Sequence, residues 1–359
     1  MKSSKWTHLH AQFHYLLIHR QLLPRNQRIL VALSGGQDSL CLTKLLLDLQ
    51  PKWGWDLAIV HCDHRWRTDS KANADRVEEL ALNWQLPFYR QIAQEIPKTE
   101  ATARQWRYQA LAEVAIAHNY PYIVTGHTAS DRAETLLYNL LRGSGADGLS
   151  ALTWQRPLMG SGGSLEQRGR GAEEISPSSI SSAPPLPHSP SALLVRPMLE
   201  ITRTQTGAFC QEQNLPIWED STNQDLHYAR NRIRAELLPY LQTHFNPQAE
   251  QALAQTAELL RADADYLETA ASELRLQASF SPTPEEKVRL DRRILQKASL
   301  ALQRRALRQV LQLILPVAPS FAHIEKIRDL ISAPNRAQTD PFPGGAIATV
   351  EGQWIKIKN

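Results

Sequence analysis

Apolar and polar positions follow a regular order through the first half of the chain. Apolar runs of strand length occupy residues 28–33, 56–62, 88–92 and 122–125. Each run is followed by a longer segment with helical spacing of its apolar positions, at residues 40–49, 70–84, 101–118 and 130–141. Short buried strands that alternate with helices are typical of parallel sheets with crossover connections. The pattern predicts an α/β fold, with a mostly parallel sheet flanked by helices.

Three polar segments directly follow predicted strands. They are the loop 34–39, the pair Asp63 and His64, and the pair Gly126 and His127. Because ligands of parallel sheets bind beyond the carboxyl ends of the strands, we expect these segments to meet at one edge of the sheet.

The N-terminal segment also has helical spacing. Its apolar positions are Trp6, Leu9, Phe13, Leu16 and Leu17. No Asp or Glu precedes Asp38, a composition that transit peptides share. Because the first strand begins near Arg28, little could be cleaved without damage to the domain. We therefore expect a packed N-terminal helix and a cytoplasmic protein.

The pattern is interrupted once. From about residue 160 to residue 192 the composition shifts to Gly, Ser, Pro and charged residues, with almost nothing to bury. Such a segment cannot offset the entropy of its own ordering, so we expect a disordered insertion within the domain. The pattern resumes at Leu193. Thr202 and Gln205 then predict a capping box for a helix that ends near Asn214.

After Pro247 the pattern becomes mainly helical. A seam of Leu and Ala recurs at spacings of four and three, at Leu253, Ala257, Leu260, Ala264, Leu267, Ala271 and Leu274. A short seam favours packing within the chain, although a coiled-coil homodimer is possible. Further helices are predicted at residues 291–315 and 320–332, and a small hairpin at residues 346–357. We place a catalytic domain at residues 1–240 and a smaller, mainly helical domain at residues 241–359.

Composition narrows the class of protein. The chain has 359 residues, is 42% hydrophobic and carries a net charge of +4, which is compatible with a nucleic-acid partner. No apolar run approaches the length of a membrane span. The cysteines Cys41, Cys62 and Cys210 are scattered, which argues against a disulfide framework, a zinc site or an iron–sulfur cluster.

The loop after the first strand is the strongest motif. It reads Ser-Gly-Gly-Gln-Asp-Ser at residues 34–39. Its two glycines let backbone N–H groups approach an anion, and the carboxylate of Asp38 suits a magnesium ion held by phosphates. No Lys directly follows the glycines, unlike the loop of kinase-type NTPases. The run resembles the signature of PP-loop ATP pyrophosphatases, which attack the α-phosphate of ATP and release pyrophosphate. A tight turn that is Gly- and Ser-rich by chance is the alternative.

Four further segments carry motifs, at residues 61–67, 103–108, 125–135 and 218–223, the last continued by residues 230–234. Together with the loop they resemble the tRNA(Ile)-lysidine synthetases, a PP-loop family. The resemblance is weaker over the C-terminal helical part. It implies ATP and Mg²⁺ as cofactors, with free L-lysine and an isoleucine tRNA that has a wobble cytidine as partners.

The implied reaction suits these residue types. Carbon 2 of cytosine is a poor electrophile, and adenylation of its oxygen turns that oxygen into part of a good leaving group, AMP. The ε-amine of lysine then attacks this carbon. Because the reference pKa of that amine is about 10.4, it must first lose a proton. A nearby carboxylate or imidazole could accept the proton.

The resemblance implies both catalytic and metal-binding roles. The catalytic set is Asp38, His127, Asp131 and Glu134, and Asp38 and Asp131 are the implied metal ligands. Asp131 and Glu134 share one face of a predicted helix, where acids that merely complement the helix dipole are the alternative. The family has two adjacent acids where this chain has Ser130 and Asp131, and Arg132 replaces a Gln.

The resemblance also implies two binding sets. The ATP-binding set is Ser34, Gly35, Gly36, Gln37, Asp38, Ser39, Asp63, His64 and Gly126. The tRNA-binding set is Arg104, Arg107, Arg196, Arg230, Asn231 and Arg234, since phosphate contacts supply much of tRNA affinity. Arg67 also matches the family pattern, whereas Cys62 and Trp66 depart from it. A hydrogen-bonded loop residue is the alternative for His64, and ATP contacts or surface ion pairs are the alternatives for Arg104 and Arg107.

Two other interpretations remain open for the molecule as a whole. A PP-loop enzyme of the 2-thiocytidine type typically needs paired cysteines, which this chain lacks. A non-catalytic tRNA-binding homologue is the second, and the intact loop argues against it. A basic stripe of Arg304, Arg305 and Arg308 is interpreted as a solvated helix face in preference to a tRNA contact.

Overall fold

The computed structural model describes residues 6–66, 69–159, 191–218, 225–280 and 286–358. Contacts between residues divide the chain into two units, Met1–Glu258 and Leu259–Asn359. The division falls inside one helix, α10 (Ala249–Ala278), whereas the predicted domain boundary lies between residues 240 and 241.

The first unit alternates helices and strands as predicted. In chain order the elements before α10 are α1 (His8–His19), β1 (Arg28–Ala32), α2 (Gln37–Trp53), β2 (Asp56–Asp63), α3 (Ser70–Asn83), β3 (Phe88–Ile92), α4 (Glu100–Ala117), β4 (Tyr122–Thr125), α5 (Ala129–Leu141), α6 (Ala146–Leu149), β5 (Gln155–Met159), β6 (Ser191–Val195), α7 (Arg203–Glu212), α8 (Ala229–Arg232), a π-helical turn (Ile233–Leu237) and α9 (Leu238–His244).

The strands form one sheet in the order β3-β2-β1-β4-β6-β5. The five strands from β3 to β6 in this order pair in parallel, which confirms the predicted fold class. β2 and β3 lie on one side of β1, and β4 lies on the other side. The chain therefore adds strands in one direction from β1 to β3 and then crosses back, so that strand order reverses at the neighbouring strands β1 and β4. Such a switch point opens a crevice at the carboxyl ends of the two strands, where the loop 34–39 and Gly126 lie.

One edge of the sheet was not predicted. β5 pairs antiparallel with β6, with Gln155 opposite Val195. Ser191 and Ala192 belong to β6, so the predicted insertion is too long at its C-terminal end. The rest of that insertion, residues 160–190, lies outside the described residues.

Local signals in the first unit are confirmed. Leu9, Phe13, Leu16 and Leu17 of α1 are buried in the main core with residues of α2, whereas Trp6 precedes the helix and is exposed. The Thr202 hydroxyl accepts from the Gln205 backbone N–H, and the Gln205 side chain returns to the Thr202 backbone. This capping box begins α7 at the predicted place, although the helix ends at Glu212.

The second unit contains more sheet than predicted. Its elements after α10 are β7 (Ser279–Phe280), β8 (Glu286–Asp291), α11 (Arg292–Lys297), α12 (Leu300–Ile314), α13 (Phe321–Asp329), β9 (Ile347–Glu351) and β10 (Trp354–Lys358). The predicted hairpin is present as β9 and β10, and it forms part of a four-stranded antiparallel sheet in the order β7-β8-β10-β9. The predicted helix at residues 291–315 is two helices, because the chain is extended at Ala298 and Ser299.

The seam and the basic stripe have partners within the chain. Ala257, Ala264 and Ala271 are buried, as expected for intramolecular packing. Arg304 donates to Glu325, and both Arg305 and Arg308 donate to Glu268. The arginine stripe is therefore an ion-paired helix face. Among the described residues, no helix combines the length and apolarity needed to cross a bilayer.

Candidate active site

The turn after β1 has the geometry of an anion-binding loop. Gly35 has a φ of +89°, which side chains rarely adopt, and a Cβ there would lie 2.4 Å from Asn73 Oδ1. The Asn73 amide donates to the Ser34 carbonyl over 2.9 Å, and the Ser34 and Ser39 hydroxyls lie 3.0 Å apart. Because α2 begins at Gln37, its first backbone N–H groups are available to a phosphate at the loop.

Gly126 brings the end of β4 against this loop. A Cβ at residue 126 would lie 3.0 Å from the carbonyl carbon and oxygen of Asp38 and from the Ser39 nitrogen. All three are backbone atoms of α2, so a side chain could be accommodated only by a shift of the helix. The glycine therefore permits the close approach that forms the crevice.

Asp38 is a partly desolvated carboxylate in the first turn of α2. Thr206 Oγ1 donates to Asp38 Oδ1 over 2.5 Å, and Arg203 Nη2 lies 3.3 Å from Oδ2. Burial raises the pKa of Asp38; the Arg203 guanidinium opposes this rise, and the nearby Asp131 carboxylate adds to it. A bound cation would therefore relieve the cost of keeping Asp38 ionised.

Asp131 lines the same pocket and also caps α5. Its Oδ2 accepts from the backbone N–H and from Oγ1 of Thr128, each over 2.8 Å. Ser130, which stands where the family has an acid, is buried between other elements. The Ser130 hydroxyl accepts from the Arg203 N–H over 2.9 Å and donates to Glu250. Of the two neighbours, only Asp131 lines the pocket.

Glu134 and Arg234 form an ion pair beside the pocket. Arg234 Nε and Nη2 donate to the two carboxylate oxygens of Glu134 over 2.6 and 2.8 Å. Burial raises the pKa of Glu134, and the hydrogen bonds from Arg234 oppose that rise. Arg234 belongs to the π-helical turn and lines the pocket, whereas Glu134 lies behind it. This placement differs from the predicted roles, in which Glu134 is catalytic and Arg234 binds tRNA.

His127 follows the glycine at the end of β4. Its Nδ1 lies 2.9 Å from Thr125 Oγ1. Burial lowers the pKa of His127 well below its ordinary value, and the guanidiniums of Arg196 and Arg104 lower it further. The ring is therefore neutral near neutral pH, and one ring nitrogen can accept a proton.

The predicted segments converge on one cavity of about 370 Å³. Its lining includes the loop 34–39 apart from Gly35, together with the ends of β2 and β4 and parts of α4 and α5. Several lining residues were not among the predicted site residues, and Tyr108, Arg203 and Trp218 are examples. Tyr108 and Trp218 lie in the segments that carry the family motifs, and Arg203 directly follows the cap residue of a predicted helix. The motif segments and the predicted helix start were the sequence signals that could have pointed to these three residues.

The end of β2 provides an aromatic side of the cavity. Asp63 Oδ1 accepts from the Arg65 N–H over 2.8 Å, which holds a turn in which Arg65 has a φ of 61°. The His64 ring lies 5.4 Å from the Trp66 ring and 6.0 Å from the Trp106 ring. Asp63 and His64 thus line the cavity, where the sequence placed them. Arg67 and residues 219–223 of the motifs lie outside the described residues.

Gln37 makes a contact that the sequence did not indicate. Its side-chain amide donates to the Arg203 carbonyl over 2.7 Å and to Thr206 Oγ1 over 2.8 Å. The side chain therefore fastens α7 to the start of α2. Its backbone N–H, at the first position of the helix, is the group that remains for a phosphate.

The predicted tRNA-binding residues have different environments. Arg107 lines the cavity. Arg230 pairs with Glu100 at 3.2 Å, and the Asn231 amide donates to the Asp225 carbonyl. Arg196 is 2% exposed and donates to the Thr153 carbonyl, and its predicted tRNA contact stays a prediction.

Comparisons with known proteins agree with this geometry. A model described as the PP-loop domain matches residues 7–241, and one described as the TilS substrate binding domain matches residues 290–351. The tRNA(Ile)-lysidine synthase of Nostoc sp. strain PCC 7120 is 61% identical, over 99% of this chain and 98% of that protein. The synthase of Synechocystis sp. strain PCC 6803 is 49% identical, over 98% of each chain.

A solved structure supports the fold. The U34-tRNA thiolase NcsA from Methanococcus maripaludis superimposes with a TM-score of 0.53 at 13% identity, over 71% of this chain and 78% of the thiolase. At that identity the likeness concerns the fold alone. The domain matches and the full-length relatives show more: the chain belongs to the tRNA(Ile)-lysidine synthase family of PP-loop enzymes.

Proposed function

We propose that this protein makes lysidine on an isoleucine tRNA, with ATP and free L-lysine as the other substrates. ATP adenylates the carbonyl oxygen at carbon 2 of the wobble cytidine and releases pyrophosphate. The lysine ε-amine then attacks carbon 2 and expels AMP. The observation that supports this most is the pocket at the switch point, where the loop 34–39 meets Asp38, Asp131 and His127 in a member of this family.

The loop would bind the phosphates of ATP. The first N–H groups of α2 offer donors to phosphate oxygens, while the Ser39 hydroxyl donates to the Gly36 carbonyl and holds the turn. Arg203 and Arg234 line the same pocket and would stabilise negative charge as pyrophosphate departs. The chain thus supplies donors fixed before ATP binds.

Asp38 and Asp131 would hold Mg²⁺. Mg²⁺ in proteins is commonly bound by one or two carboxylates together with phosphate oxygens, and these two pocket carboxylates fit that donor set. No group of three or more His, Cys, Asp or Glu side chains able to hold a metal occurs in the described ranges, so phosphates would complete the coordination. When bound, the ion would offset charge that develops on the phosphates.

Asp131 and His127 are the groups placed to manage the lysine proton. The ε-ammonium would bind at the Asp131 carboxylate. His127 is neutral, and in the tautomer whose Nδ1–H donates to Thr125 Oγ1 its Nε2 can accept the proton. The neighbouring guanidiniums disfavour a lasting charge on the ring, so the proton would pass on to solvent.

The tRNA would approach the mouth of this pocket. Arg104, Arg107, Arg230 and Asn231 remain the proposed contacts in the first unit. The second unit contains the match to the TilS substrate binding domain, which supports a role in tRNA recognition. A cytoplasmic location remains a prediction.

Sulfur transfer is less compatible with the site. Cys41 and Cys210 are buried, and Cys62 is the cysteine that lines the pocket. Burial raises the pKa of the Cys62 thiol to about 12, so the reactive thiolate is scarce near neutral pH.

Incubation with ATP, labelled lysine and isoleucine tRNA transcripts tests the proposal. We expect label in transcripts with a wobble cytidine and none in matched transcripts with uridine there. Release of AMP should depend on lysine. Incorporation without the cytidine, or AMP release that is indifferent to lysine, would exclude lysidine synthesis. The Asp131→Asn variant should still bind tRNA but should not incorporate label.

A further inference from the structure

Two positions at the start of α5 depart from the family pattern, and both contact the same helix. Ser130 stands where the family has an acid, and its hydroxyl donates to Glu250 in the first turn of α10. Arg132 stands where the family has a Gln, and its Nη1 lies 2.9 Å from Glu258 Oε2, also on α10. A carboxylate is therefore brought to the side chain of residue 130 by a residue 120 positions further along the chain.

The buried Ser130 hydroxyl both donates and accepts. It accepts from the Arg203 backbone N–H over 2.9 Å, and it has one hydrogen to donate. Because Glu250 Oε1 accepts that hydrogen, a lone pair of the hydroxyl oxygen is left to face the Arg203 N–H. The other oxygen of the carboxylate, Oε2, accepts from the Gln242 side-chain amide over 3.4 Å. Glu250 is thus held in place, and it fixes the rotation of the hydroxyl.

The N–H that donates to Ser130 belongs to the first residue of α7, and this turn of α7 contacts the nucleotide loop. Arg203 Nη2 lies 3.3 Å from Asp38 Oδ2, and the Arg203 carbonyl accepts from the Gln37 amide over 2.7 Å. Thr206, in the same turn, donates to Asp38 Oδ1 over 2.5 Å. An N–H in the first turn of a helix has no acceptor within that helix, so its position depends on the group that accepts from it. A continuous series of polar contacts therefore runs from α10 to the nucleotide loop.

We propose that Glu250 is a positioning residue for the reaction. Through the Ser130 hydroxyl it holds the first turn of α7, and with it the Arg203 guanidinium, in place against Asp38. Glu250 does not line the pocket, so it acts on ATP through these contacts and not by touching it. An acid at residue 130 would accept from the Arg203 N–H directly, whereas here a serine and a distant glutamate share that task. The role of Glu250 in turnover rests on the proposed function, but its effect on nucleotide binding does not require turnover.

An exchange of the two side chains tests the shared task by binding alone. Ser130→Asp places two carboxylates in contact, and their repulsion should displace the first turn of α7 and weaken Mg–ATP affinity about tenfold. Addition of Glu250→Gln removes the repulsion and leaves the new carboxylate to accept from the Arg203 N–H, so affinity should return to within about threefold of the wild-type value. Affinities are measured at equilibrium without tRNA or lysine. Equal affinities for Ser130→Asp with and without Glu250→Gln would overturn the proposal.

Single substitutions of Glu250 keep the proposal testable if Ser130→Asp does not fold. Glu250→Ala removes the acceptor and should weaken Mg–ATP affinity about tenfold. Glu250→Gln keeps an oxygen that can accept from Ser130 and should bind nearly as the wild-type protein does. Glu273→Ala is the matched control, because Glu273 is an exposed glutamate of the same helix. A merely structural contact would lower the free energy of unfolding of Glu250→Ala and leave its Mg–ATP affinity equal to that of the control, which would contradict a positioning role.

A double-mutant cycle tests whether Glu250 acts through Ser130. Because the carboxylate reaches Arg203 only by way of the hydroxyl, Ser130→Ala with Glu250→Ala should bind Mg–ATP no more weakly than Ser130→Ala alone. Additive losses of affinity would mean that the two residues act separately, against the proposal. If the exchange and the cycle give the expected affinities but the wild-type protein incorporates no lysine into tRNA, only the proposed function fails.

Discussion

At the scale of single residues, Asp38 shows how a binding group is kept ready at a cost in stability. Its carboxylate is desolvated and lies near a second carboxylate, Asp131, so burial and repulsion both raise its pKa. Thr206 and Arg203 limit the rise without removing it. The free protein therefore tolerates a group that a cation would stabilise.

The Asp38→Asn variant should unfold at the same or a higher temperature than the wild-type protein and lose at least about a hundredfold in pyrophosphate release. The wild-type folded state has the higher Asp38 pKa, so stability falls as the pH rises from 3.8 through the raised pKa. The Asp38→Asn variant should not show this decrease of stability with rising pH. Calorimetry and pyrophosphate assays measure both effects. Asp56→Asn, at an exposed carboxylate, is the control and should retain activity.

Arg132 replaces the Gln of the family pattern and has its own partner. Arg132 Nη1 lies 2.9 Å from Glu258 Oε2, and its guanidinium is 5.2 Å from the ring centre of Trp154. Arg132→Gln should lower the free energy of unfolding by about 3 kcal/mol, because Glu258 loses a buried partner. Glu258→Gln and the double variant complete a cycle measured by denaturant unfolding. Additive effects in that cycle would contradict the coupling, and the exposed Arg142→Gln should change little.

His127 predicts a loss of stability in acid. Its folded pKa lies well below 6.5, so as the pH falls under that value the unfolded chain binds a proton that the folded protein does not. Stability therefore decreases from pH 6.5 down to the lowered pKa. Unfolding curves for His127→Asn should show a weaker pH dependence over this range. The exposed His8→Asn is the control, and identical curves for wild type and His127→Asn would disprove the assignment.

At the scale of elements, the regularity of the apolar pattern explains which strands and helices could be predicted from the sequence. Strands β1 to β4 and their helices have clear apolar periods, and they are found where predicted. β5 was missed because Pro157 and two polar residues break its apolar pattern, and it is defined only by its pairing with β6. The break between α11 and α12 was missed because apolar positions continue across Ala298 and Ser299.

The site shows the same division between local and tertiary information. Motifs located the loop, His127 and Asp131, because each directly follows a strand or begins a helix. They did not show that Ser130 would face Arg203 and Glu250, or that Glu134 would pair with Arg234. Those contacts join residues distant in sequence, so no periodicity encodes them.

The close contact between the end of β4 and α2 predicts that one added methyl group, at Gly126, lowers activity with ATP. Gly126→Ala should push the first turn of α2 out of place, because the added Cβ would meet backbone at 3.0 Å. We expect kcat/KM for ATP to fall by about tenfold to a hundredfold. Gly145→Ala is a matched control, since nothing lies within 4 Å of a Cβ there. Equal kinetics for both variants would show that the loop adapts.

At the scale of the whole molecule, two units carry the two family matches. The PP-loop match lies in the first unit, and the match to the TilS substrate binding domain lies in the second. The sequence predicted the small hairpin of the second unit but not its sheet, because β7 and β8 are short and lie among helices. The family and the PP-loop fold predicted from the motifs are confirmed.

The buried seam of α10 predicts how the protein behaves in solution. Ala257, Ala264 and Ala271 are covered within one chain, so they offer no free face for a partner helix. We expect a monomer by sedimentation at micromolar concentration. A dimer that dissociates in the Leu259→Glu variant, at an exposed position of the same helix, would contradict this expectation.

The arrangement of β1 between β2 and β4 also has a consequence for synthesis on the ribosome. The pocket is lined by residues from Ala32 to Arg234, which meet only after several long-range parallel pairings have formed. Parallel pairings across long chain segments form slowly, because each must first close a long loop. A nascent chain that ends before the π-helical turn would hold the nucleotide loop but lack Arg234. Nucleotide affinity should therefore appear late in translation, well after the loop itself has left the exit tunnel.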